Sequence, residues 1–303
     1  MKKNKSVISV DKLTLCYKAS DDFINKLNEY NELIDSDDCF HLMRIPNDDA
    51  LFTNSFEVII KGTFFDGSGR THQKKFATLR TKSHPVSEEK SNYVWLYVEN
   101  WVFYETFVVL QGKHSWLTCV DYIVDELGLS FNNITSLDIA LDTNINFAKR
   151  IKSAQFNDDY EVILNGTLRS DKKELLNEIL HIQTGDQCRL RTLSIYITPK
   201  KQNGLSLKVY DKKRELGKSN KTYIPQWNEL KNSDYRIELT LKNEHLKEFN
   251  KQKGEVIPDE LLMATLASQQ ESQDPLFDML YYFSNRLLRF KPKGRKAISI
   301  FQL

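Results

Sequence analysis

Cysteine is scarce in this sequence, and the short motifs of the common metal and nucleotide sites are missing. The four cysteines stand far apart, without a CxxC pair or a Cys/His spacing that suits zinc: Cys16, Cys39, Cys119 and Cys188. Free thiols in a reducing compartment are expected. There is no His-x-His pair, no Walker A loop, no nucleotide-binding glycine fingerprint and no GxSxG elbow. Zinc fingers, P-loop nucleotide hydrolases and α/β-hydrolases are therefore not indicated.

Long apolar runs and a strong net charge are also missing. No segment approaches the ~18 consecutive apolar residues of a membrane span, and the basic start MKKNKSVISVDKL lacks the apolar stretch of a signal peptide. These features predict a cytoplasmic protein with no membrane contact. The formal net charge is only +2 and the pI is about 8.2. Any argument for nucleic-acid binding must therefore rest on local clusters of charge.

The chain has enough apolar residues for a large core, because 40% of its 303 residues are hydrophobic and 11% are aromatic. Alternating patterns and helical spacings together predict an α+β protein with curved, mainly antiparallel sheets and flanking helices. Predicted strands are 6–17, 55–65, 74–79, 93–98, 102–109, 134–142, 160–164, 193–197, 205–210 and 235–241. Predicted helices are 21–33, 115–127, 172–182, 244–250, 258–267 and 275–288, and 146–154 is ambiguous. We expect one domain over 1–250, with halves 1–130 and 131–250, and a C-terminal helical segment with a basic tail over 251–303.

Four predicted strands divide their side chains in the same way between two faces. In the strand 206–212, Leu207 and Val209 point to one side, and Lys208, Tyr210 and Lys212 to the other. The other three strands also have an apolar face, and their opposite faces carry Asp138 and Asp142, Ser194 and Tyr196, and Arg236 and Glu238. If these strands are neighbours, one sheet face gathers acids, bases and phenols. The alternative is an ordinary solvated face with cross-strand ion pairs.

Acids and bases mixed on one face suit a place where a divalent cation meets a phosphate. Carboxylates bind Mg²⁺ or Mn²⁺ through oxygen, and Arg or Lys neutralises the developing charge. Asp138 and Asp142 are ~13 Å apart along an ideal strand, so they do not share one ion. Asp138 with Glu238 is the favoured pair. Tyr210 lies between two ammonium groups, and this field favours phenolate and attracts phosphate.

Basic residues cluster in two segments. The segment 189–221 carries ten Lys or Arg residues against two acids, which matches an electrostatic footprint for nucleic acid. The tail 286–303 holds six basic residues and no acidic ones. Phe290 lies among these charges, so the tail could add backbone contacts or stacking to a nucleic acid, or it could be a solvated helix end.

The order of three motifs resembles the Rep_trans type of rolling-circle plasmid replication initiators, whose relatives occur on filamentous phages and mobile elements. The motifs are Leu137-Asp138-Ile139-Ala140-Leu141-Asp142, then Leu207-Lys208-Val209-Tyr210-Asp211-Lys212 with Glu215, then Tyr235-Arg236-Ile237-Glu238-Leu239. The resemblance extends over about 93–246. It implies the replication-initiator (relaxase-like) fold and a strand-specific nickase that binds the origin of a small plasmid or mobile element. The two-histidine metal motif of other nicking enzymes is absent.

The resemblance also implies roles for individual residues. A tyrosine attacks the origin phosphodiester, stays linked to the 5′ phosphate and frees a 3′ hydroxyl, and this tyrosine maps to Tyr210 in the family's (R/K)-x-Y-x-K motif. The metal ligands map to Asp138 and Glu238, with Mg²⁺ or Mn²⁺ as cofactor. We assign phosphate contacts to Lys212 and Arg236, DNA contacts to Lys200, Lys201, Lys208, Lys213 and Arg214, and supporting roles to Asp142, Tyr196 and Glu215.

Two departures from the family pattern, and two other classes of function, stay open at this point. The first basic position is Lys208, where Arg is common, and Thr198-Pro199-Lys200-Lys201 replaces a glycine-serine turn, so that Tyr196 competes with Tyr210 as nucleophile. The family implies homodimers on an inverted-repeat origin, with single-stranded or cruciform DNA at the nick, and a host helicase as partner. The alternatives are a non-catalytic DNA-binding regulator on the same scaffold and a phage structural or interaction protein.

Overall fold

The protein is α+β, with mainly antiparallel sheets, as its alternating patterns predict. A computed structural model describes residues 6–29, 32–34, 40–46, 51–64, 71–84, 91–104, 107–109, 116–169, 179–184, 191–198, 204–219, 235–252, 262–263, 266 and 274–303. The strands in these residues are β1 (Ser6–Ala19), β2 (Glu32–Ile34), β3 (Phe40–Arg44), β4 (Asn54–Phe64), β5 (Thr71–His84), β6 (Ser91–Val98), β7 (Phe107–Val109), β8 (Ser130–Thr143), β9 (Tyr160–Leu164), β10 (Thr167–Arg169), β11 (Ile179–Thr184), β12 (Arg191–Ile197), β13 (Ser206–Asp211), β14 (Tyr235–Lys242), β15 (Leu288–Pro292) and β16 (Ile298–Ser299).

The helices flank these strands. They are α1 (Asp21–Glu29), α2 (Trp116–Glu126), α3 (Phe147–Phe156), α4 (Lys212–Ser219), α5 (Asn243–Gln252) and α6 (Asp274–Leu287), with 3₁₀ turns at Asn100–Phe103 and Ile300–Gln302. No helix in the described ranges is both long and apolar enough to cross a lipid bilayer.

The chain divides into two compact units. The C-terminal unit comprises Met1–Val10, Asp138–Glu255 and Gln269–Leu303, and the N-terminal unit comprises Asp11–Leu137 and Val256–Ser268. Strands β1 and β8 each contribute residues to both units. This division differs from the halves drawn from the sequence, because the last segment of the chain belongs with the unit that contains β13 and β14.

The C-terminal unit contains the strands that were expected to carry chemistry. Their order is β11-β12-β13-β14-β8. From β11 to β14, each strand pairs antiparallel with the next one along the chain. A second sheet has the order β10-β9-β15-β16. The apolar face predicted for β12, β13 and β14 is buried: Ile195, Ile197, Leu207, Val209, Ile237, Leu239 and Leu241. Helix α3 packs against β12, β13 and β9, and α6 packs against β14 and β15.

Backbone geometry fixes the entry into β13. Gly204, just before this strand, has a φ of +79°, and a Cβ built on it would lie 2.6 Å from Cγ of Lys242. A larger residue would therefore meet both backbone strain and a steric clash. Glycine at this position lets the chain pass close to the side chain of Lys242 at the end of β14.

The N-terminal unit is organised around β6. The strand order is β1-β6-β5-β4-β3-β2, and β7 pairs with β4. Helix α1 begins with Ser20, whose Oγ accepts a hydrogen bond from the backbone N–H of Phe23 at 3.2 Å. Phe23, Ile24 and Leu27 are its buried residues. Helix α2 ends before Gly128, which has a positive φ of 63°.

Several predicted elements were wrong in type or extent. The strand predicted over 102–109 is a 3₁₀ turn at Asn100–Phe103 followed by the short β7. The turn is held by Trp101 Nε1, which donates to the carbonyl of Lys75 at 2.8 Å, and by Tyr104, which donates to Asp11 at 2.7 Å. The helix predicted over 21–33 ends at Glu29. Part of the helix predicted over 172–182 is strand β11, and its residues 170–178 lie outside the described part of the chain.

Candidate active site

Strand register brings the predicted site residues onto one sheet face. Tyr196 of β12 lies opposite Lys208 of β13, and Lys208 lies opposite Glu238 of β14. In the next row of the same face, Tyr210 lies opposite Arg236. Side chains directly opposite on neighbouring strands are within contact distance of one another. The register therefore places phenol, ammonium, carboxylate and guanidinium groups together.

Glu238 is the centre of this cluster. Its Oε2 accepts a hydrogen bond from the hydroxyl of Tyr210 at 2.9 Å, and its Oε1 pairs with Nζ of Lys208 at 2.6 Å. Glu238 is only 6% exposed, whereas Tyr210 and Lys208 are half-buried. A carboxylate at hydrogen-bond distance from a phenol is placed to accept its proton. Tyr210 is thus half-buried and within hydrogen-bond distance of Glu238.

Lys208 carries the positive charge of the cluster. Burial acts to lower the pKa of Lys208, but Glu238, Asp138 and Tyr196 together outweigh this effect and raise that pKa above its ordinary value. The lysine is therefore held as an ammonium. The negative charges of Asp138 and Glu238 both act on this lysine.

Arg236 and Asp142 form a buried pair beside this cluster. Nε and Nη2 of Arg236 donate to the two carboxylate oxygens of Asp142 at 2.6 and 2.7 Å, and the residues are 0% and 1% exposed. This is the two-pronged geometry in which Arg and a carboxylate bind most strongly. Contact between Arg236 and a surface phosphate, which we expected from the sequence, does not fit full burial. Through Asp142, Arg236 instead holds β14 against β8, the strand that also carries Asp138.

The start of α4 places Lys212 beside Tyr210. Asp211 caps this helix, since its Oδ1 accepts from the backbone N–H of Arg214 at 2.9 Å. The first helical residue, Lys212, is buried; its Nζ is 5.6 Å from the ring centroid of Tyr210 and 2.5 Å from Glu215 Oε2. Lys212 therefore supplies positive charge next to the phenol, and Glu215 orients this ammonium.

The donor atoms suit a divalent cation held partly by substrate. Asp138 and Glu238 offer hard carboxylate oxygens, and both side chains are 6% exposed. Among the residues that the structure describes, no group of three or more His, Cys, Asp or Glu side chains is placed to hold a metal ion. Mg²⁺ is commonly held by one or two protein carboxylates, with substrate phosphates and water completing its shell. Two carboxylates fit that role, although Glu238 is already paired with Nζ of Lys208 at 2.6 Å.

The remaining predicted contacts are distributed differently. Lys213 and Arg214 are exposed on α4. Lys200 and Lys201 lie outside the described residues. The sequence left two alternatives open for the basic tail, stacking of Phe290 on nucleic acid or a solvated helix end, and the structure fits neither. The Phe290 ring is 0% exposed in β15, with its centroid 6.3 Å from that of Tyr160. Residues 288–292 and 298–299 form strands of the second sheet.

Sequence reasoning did not predict which partner each site residue would choose. The pairing of Tyr210 with Glu238, and of Arg236 with Asp142, depends on the register between β13, β14 and β8. Alternation within one strand shows on which face a side chain lies, but not which residue of the neighbouring strand lies opposite it. Comparison of this chain with protein-family models, with curated proteins and with solved structures finds no match.

Proposed function

We propose that this protein is a replication initiator that binds the origin of a small plasmid or mobile element and nicks one DNA strand through Tyr210. The observation that carries the proposal is the hydrogen bond of 2.9 Å from the Tyr210 hydroxyl to Glu238. A phenol is a weak nucleophile until a nearby base takes its proton. The neighbouring ammonium groups of Lys208 and Lys212 favour the phenolate that results.

In this mechanism Glu238 accepts the phenolic proton and the oxygen of Tyr210 attacks phosphorus. A bond forms between the phenolic oxygen and phosphorus, the bond from phosphorus to the 3′ oxygen breaks, and the departing oxygen takes up a proton from Glu238 or water. The products are a 5′-phosphotyrosine and a free 3′ hydroxyl. Lys208 and Lys212 offset the negative charge on the phosphoryl oxygens. Arg236 and Asp142 keep β14 and β8 in register.

A divalent cation held by Asp138 would polarise the phosphoryl oxygen when bound. Glu238, the second ligand that the motifs imply, would hold the cation only while it is ionised, before it takes the phenolic proton. The replication-initiator fold, the homodimer on an inverted-repeat origin and the helicase partner belong to the same proposal. They rest on the resemblance of the three motifs. The shared face of Tyr196, Lys208 and Glu238 supports that resemblance, because strands β12 to β14 bring together the residues that the motifs single out.

Incubation with supercoiled plasmid that carries the protein's own gene tests the proposal, in the presence of Mg²⁺ or Mn²⁺. We expect open circles with protein linked to a 5′ end. Tyr210→Phe removes the attacking oxygen and should reduce nicking below detection, and Glu238→Gln should reduce it strongly by removing the base. Tyr196→Phe is the matched control, because Tyr196 lies on the same face one strand away. It should still nick.

Nicking by Tyr210→Phe at the wild-type rate would contradict the proposal. Loss of nicking in Tyr196→Phe alone would move the nucleophile to the neighbouring strand. DNA binding without nicking under either metal would instead favour a regulator built on this scaffold. Absence of DNA binding would favour a structural or interaction protein.

A further inference from the structure

A second surface, in the N-terminal unit, carries partly exposed aromatic side chains on one face of the sheet. Along β6, Asn92, Val94, Leu96 and Val98 are buried, whereas Tyr93, Trp95 and Tyr97 are half-exposed. Strand side chains alternate, so these three rings share one face. Phe52 joins them, with its ring centroid 5.6 Å from that of Trp95 and 6.4 Å from that of Tyr97. We call Phe52, Tyr93, Trp95 and Tyr97 the aromatic face.

Basic side chains border the aromatic face. Lys18 of β1 and Lys82 of β5 lie opposite Tyr93 on its two sides, and Arg80 lies opposite Trp95. The guanidinium carbon of Arg80 is 5.3 Å from the ring centroid of Phe52 and 5.5 Å from that of Tyr97. Lys18 is exposed and Lys82 is half-exposed. The Tyr93 end of the face is therefore positively charged.

We propose that the aromatic face binds single-stranded nucleic acid, by stacking bases on its rings and pairing backbone phosphates with Lys18, Arg80 and Lys82. Rows of aromatic side chains beside positive charge are the usual means of holding unpaired strands. A guanidinium plane also stacks on bases. The occupant follows from charge complementarity, because a polyanion with accessible flat bases matches both features.

Ring spacing favours an unpaired strand over a duplex. The ring centroids of Tyr93 and Trp95 are 6.0 Å apart, and the two planes are tilted by 44°. Bases in one strand of a duplex are stacked about 3.4 Å apart, with their flat surfaces covered by neighbours. Successive rings on the aromatic face therefore match bases that have separated. None of the residues of this face belongs to the nicking mechanism, so the inference goes beyond the proposed function.

Fluorescence anisotropy with a labelled oligothymidine tests the inference, in EDTA so that no nicking occurs. We expect wild-type protein to bind the single strand more tightly than a duplex of equal length. Trp95→Ala should weaken binding roughly 5- to 150-fold, the range for loss of one stacked base. Trp95→Phe should restore most of it, since a ring remains. Lys82→Ala should lower the slope of log affinity against log salt by about 0.7.

Lys26→Ala is the matched control, because Lys26 is an exposed lysine of the same unit on α1. It should bind like the wild type. Oligouridine measured beside oligothymidine distinguishes RNA from DNA as the occupant, and tight binding of either supports the inference. Thermal melting of each variant confirms that it is folded.

Unchanged binding in folded Trp95→Ala and Lys82→Ala would overturn the inference. So would binding of anionic lipid vesicles but no oligonucleotide, or a self-association that Trp95→Ala abolishes without any strand binding. Strand binding in EDTA is measured separately from nicking. Failure of nicking with retained strand binding would therefore refute only the proposed function, and the reverse would refute only this inference.

Discussion

At the scale of single residues, the buried pair of Arg236 and Asp142 holds more of the site in place than any surface contact. Both charges are withdrawn from water, and each is satisfied by the other through two hydrogen bonds. Removal of one partner of such a pair leaves an uncompensated buried charge, which typically costs about 3–5 kcal/mol. Removal of a partner at the surface costs about 0–1 kcal/mol, because water replaces it.

Asp142→Ala is therefore expected to lower the free energy of unfolding by about 3–5 kcal/mol. Urea denaturation followed by circular dichroism measures this change. Glu161→Gln is the control, because Glu161 makes a single ion pair of 2.9 Å with Lys291 and both side chains are about two-fifths exposed. Its effect should stay below about 1 kcal/mol. If both substitutions lowered the free energy of unfolding equally, burial would not be what makes the Arg236–Asp142 pair more important than the Lys291–Glu161 pair.

At the scale of secondary structure, alternation predicted the strands of the site well, and local helix signals were less reliable. Strands β12, β13 and β14 agree with the predicted ranges within two residues at each end. Helix α3 was ambiguous from its sequence, and in the structure Asn146 begins it by accepting a hydrogen bond from the N–H of Lys149 at 2.9 Å. For β11, pairing with β12 outweighs the helical spacing of 172–182. Long-range pairing of this kind is not encoded in a short window.

The N-terminus of helix α5 is capped by a histidine, so its stability is expected to depend on pH. Nδ1 of His245 accepts a hydrogen bond of 2.9 Å from the backbone N–H of Lys242, in the position where Glu or Gln usually closes a capping box. His245 is buried against the ring of Phe283. Burial lowers the pKa of His245, Glu244 and Glu248 act against this effect, and Arg286 and Lys242 add to it. The neutral imidazole is therefore the folded form.

Stability should fall as the pH drops below about 6.5, the ordinary pKa of histidine in the unfolded chain. Below that value the unfolded chain binds a proton that folded His245 resists, and the loss continues until the pH reaches the lowered folded pKa. Midpoints of urea unfolding, measured at pH values from about 7.5 down to about 5, test this predicted loss of stability. His245→Asn keeps an acceptor for Lys242 but cannot titrate, so its profile should be flatter. A wild-type profile no steeper than that of the variant would contradict the prediction.

At the scale of the whole molecule, net charge gives little information about where DNA would bind. The chain is only +2 overall, and several of its basic side chains are committed to acids: Lys75, Lys208, Lys212, Arg236 and Lys291. Local density of charge in 189–221 predicts DNA contacts in that part of the chain. It did not indicate which cations stay at the surface, since burial depends on the fold.

Affinity for duplex origin DNA should therefore depend on where the charges are and not on their sum. Lys213→Ala with Arg214→Ala removes two exposed cations from α4, and Lys149→Ala with Lys247→Ala removes two from other helices. Each double variant lowers the formal charge from +2 to 0. The first should reduce the slope of log affinity against log salt by about 2, and the second should leave it unchanged. Equal slopes for the two variants would contradict local binding.

Glu238 makes two hydrogen bonds, one with Lys208 and one with Tyr210, and this arrangement bears on the order of events at the site. While Glu238 is ionised, it neutralises the ammonium of Lys208. In the proposed nicking step Glu238 would take the phenolic proton and become neutral, so its attraction for Lys208 would weaken. The ammonium of Lys208 would then be available to the phosphoryl group as that group gains negative charge. A single proton transfer would thus activate the Tyr210 oxygen as a nucleophile and, at the same time, free the ammonium of Lys208 to pair with the substrate phosphate.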